Sequence, residues 1–288
     1  MNKPYEQFKI DQEHGQLNGC YLDVPNEEYH ASKGISKSGL DLINRSPAHF
    51  KYAPSFKTTQ AMRMGTAIHT AVLEPARFEA EYMLLDNVTD KRKSEYKEAV
   101  KQFGYENVLT TTEADKVKGM QEAINANADA FSLLDMTGNA EVSIYAIEPE
   151  TGVQVKCRFD YLRTDDIAVD LKKTQDARAD KFSKSIADYR YHVQAAFYSD
   201  VYLWATGRTL QAFYFLAVEE EAPNYCKPWL LSDESLEIGQ YEYKKDLTVY
   251  NCAMLEDYWP MPNGDIEEIN LPNWKISQYE ETIEGEIK

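Results

Sequence analysis

The stretch VQVKCRFDYLRTDDIAVDLK, residues 153–172, reads as two β-strands joined by a polar turn. Side chains alternate along an extended chain, so Val153, Val155, Cys157, Phe159 and Tyr161 share one face. Gln154, Lys156, Arg158 and Asp160 share the other. Thr164, Asp165 and Asp166 carry the reversal. In the second run Ile167, Val169 and Leu171 interleave with Ala168, Asp170 and Lys172, which puts Asp170 and Lys172, two apart, on the same face. Two carboxylates and a lysine thereby come to adjacent strands.

Outward from this hairpin, Glu141 to Ile147 reads as a preceding strand, and Pro149, Glu150, Thr151, Gly152 as the hairpin turn from it into the strand of Asp160. Downstream, a long helix is expected from about Lys181 to Ala205, closed by Gly207. Leu210 to Val218 is an apolar run of strand length suited to burial on both sides, and Trp229 to Leu231 suits another strand. Ser232 caps a last long helix that ends before Pro260. Upstream, Ser36 opens a helix with Leu40, Ile43 and Phe50 as core candidates and a break at Pro47. A second helix runs from about Thr59 through Gly65 and His69 to Leu73, stopped by Pro75. Asn87 to Gly104 is polar, a loop or a short helix, and Thr112 with Asp115 reads as the capping box of a helix carrying Val117, Met120 and Ile124. This order predicts an α/β fold, a small mixed sheet flanked by helices. The expected division is an N-terminal arm (1–29), one domain (30–274) and an acidic tail (275–288).

The 288 residues suffice for a full core, and 43% hydrophobic and 12% aromatic content exclude disorder. No apolar run approaches the ~20 residues a bilayer span needs, so no membrane role is expected. Met1 to Ile10 lacks the apolar stretch of a secretory signal, and the expected location is the cytoplasm. Cys20, Cys157, Cys226 and Cys252 lie far apart, a spacing unsuited to a zinc ribbon, a disulfide framework or an iron-sulfur cluster, and read as buried thiols. The net charge of −17 is unevenly spread: 17 acidic and 5 basic residues lie from Glu219 onward. By contrast, Lys33, Lys37, Arg45, Lys51, Lys57 and Arg63 between His30 and Val72 face only Asp41. Lys172 to Arg190 holds six bases against three acids. Two such islands flanking the carboxylates suit delivery of a phosphate backbone, and read equally as solvated helix faces.

Carboxylates converging from neighbouring strands suit Mg²⁺, which takes oxygen ligands and keeps several waters. Asp160, Asp170 and the carbonyl of Leu171 are the candidate ligands, with Lys172 beside the attacking water as a charge or proton acceptor. His69 is a further candidate ligand that also accepts Mn²⁺, or else a histidine satisfied by a backbone carbonyl. Gln194 and Tyr198, at i and i+4, place an amide and a phenol on one helix face to hold a phosphate, or pack into the core. Glu141 is an accessory carboxylate or a surface residue.

The order Gly65 to His69, Asp160, Asp170 to Lys172, then Gln194 to Tyr198 resembles the RecB-like branch of the PD-(D/E)XK nucleases. The phrases Gly34-Ile35-Ser36-Lys37-Ser38, Asp170-Leu171-Lys172-Lys173-Thr174, Tyr189-Arg190-Tyr191-His192-Val193-Gln194 and Ala196-Phe197-Tyr198-Ser199-Asp200 resemble the RecE (exonuclease VIII) type of nuclease domain, over about His30 to Trp274. The resemblance implies a restriction-endonuclease-like core. It implies an Mg²⁺-dependent, ATP-independent exonuclease that digests the 5′ strand of double-stranded DNA from its ends and leaves 3′ overhangs for recombination by annealing. It also implies a ring-shaped homo-oligomer, a RecT-type single-strand annealing partner, and a phage or prophage origin within a bacterial host. On matched positions His69, Asp160, Asp170 and Lys172 form the active-site set, with Gln194 and Tyr198 as the helix motif. Lys173 stands where threonine is usual, and the second carboxylate is Asp rather than Glu. Ser36, Ser38 and Arg45, with Lys173 and Gln194, are candidates for holding DNA or a 5′ phosphate; Ser36 is equally a helix cap and Arg45 a surface arginine.

Overall fold

The computed structural model describes residues 18–54, 59–262, 264 and 266–286. In chain order the elements are β1 (Gly19–Tyr21), α1 (Asn26–Ala31), α2 (Lys37–Arg45), α3 (Pro47–Lys51), α4 (Gln60–Leu73), α5 (Pro75–Glu81), β2 (Met83–Leu84), α6 (Ser94–Phe103) and β3 (Val108–Leu109). They continue with α7 (Thr111–Ala126), α8 (Ala128–Leu134), β4 (Gly138–Ile147), β5 (Gln154–Arg163), β6 (Ile167–Thr174), α9 (Ala179–Asp188) and α10 (Tyr191–Thr206). The last are β7 (Ala212–Glu219), β8 (Cys226–Leu230), α11 (Asp233–Glu256) and α12 (Asn273–Glu286).

The main sheet has the order β1-β4-β5-β6-β7-β8. Among the described strands of this sheet β6 and β7 are the parallel neighbours, joined by the α9–α10 crossover that a parallel pair requires, and β2 and β3 form a separate parallel pair. Helices cover both faces. On one side Leu40 and Ile43 of α2, Val193, Phe197 and Val201 of α10, and Tyr243 and Leu247 of α11 pack on Val142, Ile144, Cys157, Phe159, Ala168 and Phe215. On the other, Met64, Ala67 and Ile68 of α4 with Val117, Met120 and Ile124 of α7 pack on Val169, Leu171, Leu216 and Val218. Strand β7 thus feeds alternate residues to both cores, as its unbroken apolar run requires.

Several local expectations differ from the structure for physical reasons. The first thirty residues are not a separate arm where they are described: β1 pairs with β4, and buried Lys156 donates to the carbonyls of Tyr29 (2.7 Å) and Ser32 (2.7 Å). The capping box is Thr110 with Glu113, two residues upstream of Thr112 and Asp115. Glu113 is drawn there because it also pairs with Arg63, an arginine 1% exposed that donates to the Val108 carbonyl at 2.7 Å. That pairing ties α4 to α7. The long helix expected over 181–205 is broken at Tyr189 and Arg190, where no Gly or Pro stands. Arg190 is left-handed (φ 52°) and bonded to Asp41 of α2 (3.0 Å) and to Glu242 (3.1 Å) and Asp246 (2.7 Å) of α11. Part of the acidic tail is helical, as α12. Cys20, Cys157 and Cys226 are buried, whereas Cys252 is exposed on α11.

Candidate metal centre

Strands β5 and β6 form only two rungs, Tyr161 with Val169 and Leu162 with Ala168. The next rung in that register would set Asp160 opposite Asp170, but the strands have parted. In place of a ladder bond the Leu171 amide donates to Asp160 Oδ2 at 2.8 Å. On the other side of β5, Ala140 pairs with Tyr161 and Val142 with Phe159, which leaves Glu141 level with Asp160 and outside the ladder. Glu141 is left-handed (φ 51°), a conformation costing a non-glycine residue about 1 kcal/mol or more and concentrated at functional sites. The face alternation slips here too: Phe159 and Leu162 lie in one core and Tyr161 packs on the other. Three carboxylates, one per strand, therefore line up across β4, β5 and β6 at a fork in the sheet.

His69 reaches the fork from α4. Its Nε2 lies 2.8 Å from the Leu171 carbonyl, which can only accept, so Nε2 carries the hydrogen. The ring's other nitrogen, Nδ1, lies 3.5 Å from Asp160 Oδ2. A proton or a metal ion between Nδ1 and the carboxylate satisfies both atoms. A histidine that donates one ring N–H to a backbone carbonyl and offers the other nitrogen is the usual posture of a metal ligand. Ligand atoms of His69, Glu141 and Asp160 all lie within 4.8 Å of one another, and all three residues are half-buried. Burial, with Asp160 next, raises the Glu141 carboxyl above its ordinary range, opposed by His69 and by Arg158 at 3.8 Å. The donor set fits a divalent cation.

Asp170 and Lys172 face α10 instead. Lys172 Nζ lies 2.5 Å from Asp170 Oδ1 and donates to Gln194 Oε1 at 3.0 Å, while Gln194 Nε2 donates to Asp170 Oδ2. Asp170 Oδ1 is buried, and the Lys172 ammonium is the group against it. Burial and Asp160 raise the Asp170 carboxyl, with Lys172 opposing. Burial alone would lower Lys172, but Asp170 and Asp160 outweigh it and hold its ammonium above the ordinary range. In this arrangement Lys172 stands as a charged donor to Gln194 beside the Asp170 carboxylate.

Among the expected site residues, His69, Asp160, Asp170, Lys172 and Gln194 meet at the fork, and Glu141 joins His69 and Asp160 as the third member of the tightest group. Asp170 stands outside that group, engaged by Lys172 and Gln194. The Leu171 carbonyl, expected as a ligand, gives one lone pair to His69 and keeps the other. Tyr198 does not reach the network: its ring packs edge-on against Phe159 (5.2 Å) and Phe213 (6.1 Å), and burial raises its phenol. Ser36 caps α2, with its Oγ 3.1 Å from Ser38 Oγ. Arg45 is exposed at the far end of that helix, roughly 12 Å along its axis, so serines and arginine do not share one phosphate. Lys173 lies on the opposite face of β6 from Lys172 and pairs with Glu220. The basic islands are likewise largely paired: Lys37 with Asp41 at 2.7 Å, Arg178 with Asp176 at 2.6 Å, and Arg190 with its three acids. Glu141 as a ligand had one sequence signal, the register of its hairpin, which sets it opposite Asp160.

A mixed sheet between two helical layers, with acid, acid and Asp-x-Lys across a strand fork, defines the PD-(D/E)XK class of fold. Residues 36–272 match the family described as a PDDEXK-like domain of unknown function (DUF3799), and the chain belongs to that family. It is similar to the crystal structure of a "putative exonuclease" from Eubacterium rectale, with a TM-score of 0.54 and 13% identity, covering 89% of this chain and 98% of that one. At that identity the likeness shows the fold. The crystal structure of SSO0001 is more distant, with a TM-score of 0.29 and 13% identity over 68% of this chain and 88% of that one. No curated protein matches the chain in sequence. Among the described residues no helix is long and apolar enough to cross a membrane.

Proposed function

We propose that this chain is a divalent-metal-dependent nuclease that digests double-stranded DNA from its ends. The observation that carries the reading is the convergence of His69, Glu141 and Asp160 beside the Asp170–Lys172–Gln194 network in the strand fork. A divalent cation held by the first three, with Asp170 Oδ1 within the same fork, supplies charge neutralisation at a scissile phosphate and a more acidic bound water. Around it, Lys172 holds positive charge at Nζ, where the pentavalent phosphate gains negative charge. Gln194 fixes both Lys172 and Asp170, so neither has to reorganise during the reaction. His69 is held in one tautomer by the Leu171 carbonyl, and the Leu171 amide fixes Asp160.

The finer reading rests on the order and spelling of the motifs that resemble the RecE type. It makes the enzyme Mg²⁺-dependent, with Mn²⁺ substituting, and independent of ATP. Digestion runs 5′ to 3′ and leaves 3′ overhangs for a RecT-type annealing partner in recombination. A ring-shaped homo-oligomer around the duplex would confine an acidic protein to DNA despite its net charge of −17. End-labelled linear duplex with 5′-phosphate or 5′-hydroxyl ends, incubated with Mg²⁺ or EDTA beside a covalently closed circle, tests this. Loss of label from the linear 5′ strand with Mg²⁺ alone is expected. Nicking of the closed circle would make the chain an endonuclease, and end binding without digestion in either Mg²⁺ or Mn²⁺ would make it a DNA-end-binding protein. A monomeric mass in solution would remove the ring.

A further inference from the structure

The helix break at Tyr189 and Arg190 is held from two neighbouring helices, α2 and α11. Arg190 is kept left-handed by carboxylates of α2 and α11, and Lys37 Nζ donates to the Tyr189 carbonyl at 2.5 Å. What this rigid backbone presents is the Tyr189 ring, 62% exposed. It stacks on Tyr191 with centroids 5.6 Å apart and planes 27° from parallel. Tyr191 in turn stacks on buried Phe215 (5.5 Å, 28°), and Lys172 Nζ lies 4.5 Å from the Tyr191 ring centre. Three rings thus form a column rooted in the sheet, passing the fork lysine and ending in a solvent-facing aromatic.

Core packing does not account for the outer ring, because an apolar contact would bury it. Strained backbone maintained by ion pairs at the edge of a reactive site marks a position held for a ligand. The ligand chemistry follows from the column: a flat π-system, next to ammonium groups, on a chain carrying a phosphodiester. We propose that Tyr189 is a stacking platform for a nucleobase of the strand whose phosphodiester enters the fork, so that the site takes an unpaired or frayed nucleotide rather than a fully stacked one. This rests on the nuclease reading above and names its substrate conformation. A base stacked on an exposed aromatic is a sequence-tolerant contact, suited to an enzyme without base preference.

The test uses the full chain with oligonucleotide duplexes carrying 2-aminopurine in turn at the terminal nucleotides of each strand, in Ca²⁺ to hold DNA without fast turnover. Wild type and Tyr189→Phe are expected to quench one label position. Tyr189→Ala is expected to lose that quench and to bind about tenfold or more weakly. An abasic nucleotide at the same position should abolish the difference between wild type and Tyr189→Ala. No quench in wild type, unchanged affinity in Tyr189→Ala, or an equal loss on the abasic duplex would each overturn the platform. Because the Tyr189 side chain holds none of the ion pairs, a thermal melt of Tyr189→Ala should match wild type. Parallel digestion in Mg²⁺ separates the two claims: quenching without cutting sinks the nuclease and keeps the platform, while cutting that is unchanged in Tyr189→Ala does the reverse.

Discussion

Replacing Asp160 by Asn should stabilise the metal-free protein while removing its response to metal. The Asn carboxamide oxygen can still accept from the Leu171 amide, so the fork keeps its hydrogen bond and loses one charge. Two carboxylates with ligand atoms within 4.8 Å repel by about 3 kcal/mol at an effective dielectric near 20. Asp170 adds little to this, because Lys172 lies 2.5 Å from it. Arg158, 3.8 Å from Glu141, offsets part of the remaining repulsion. A net gain of about 1–2 kcal/mol follows, or roughly 4 °C in melting temperature for a domain of this size. Thermal unfolding at about pH 9 in EDTA keeps the carboxylates ionised and reads the gain directly. Adding Mg²⁺ or Mn²⁺ should raise the wild-type midpoint with concentration and leave Asp160→Asn unmoved, because ligand stabilisation follows occupancy. An Asp160→Asn protein that melts below wild type in EDTA, or that gains as much from metal, would refute the fork as a cation site.

Lys172→Ala should abolish digestion but also destabilise the fold by about 3–5 kcal/mol, since it leaves buried Asp170 without its partner; Lys172→Met with Asp170→Asn should recover stability in urea without recovering activity, and a fully stable Lys172→Ala would show that the pair is not made in solution. Burial would raise Glu113, but its bonds to Lys91, Arg63 and the Thr110 amide outweigh that and hold it at about 2. Its contribution is therefore complete above its ordinary value of 4.5 and lost as pH falls toward about 2. Urea unfolding at pH 6 and pH 3 should show a loss about 1–2 kcal/mol smaller in Glu113→Gln than in wild type, after allowance for solvent screening, and equal losses would refute the Arg63–Glu113 tie.

Local chemistry alone made several elements legible. Ser36 and Ser232 cap α2 and α11, and Gly207 closes α10 in the left-handed conformation at φ 71°, while Pro47 and Pro75, read as breaks, also open the short helices α3 and α5. The strands of Asp160 and Asp170 were equally plain, since alternation and an acidic turn are properties of neighbours in the chain. Where two local frames competed, as with Thr110 and Thr112, a partner distant in sequence decided: Arg63 on α4 takes Glu113. Tyr198 shows the reverse, a motif position whose spacing admits a catalytic role and whose ring the core absorbs.

The sequence by itself determined which side chains a metal centre would have to draw on, and that they ride on two adjacent strands and a helix, because side-chain period and turn residues are local. It did not determine that Glu141 joins His69 and Asp160 while Asp170 turns to Lys172 and Gln194. That was decided by the parting of β5 and β6, the left-handed backbone at Glu141 and the three ion pairs that break a helix at Arg190. Each is an energy set by contacts between separate elements, from the 11 residues between Asp160 and Leu171 to the 149 between Asp41 and Arg190, and not by the preference of any one element for its own conformation.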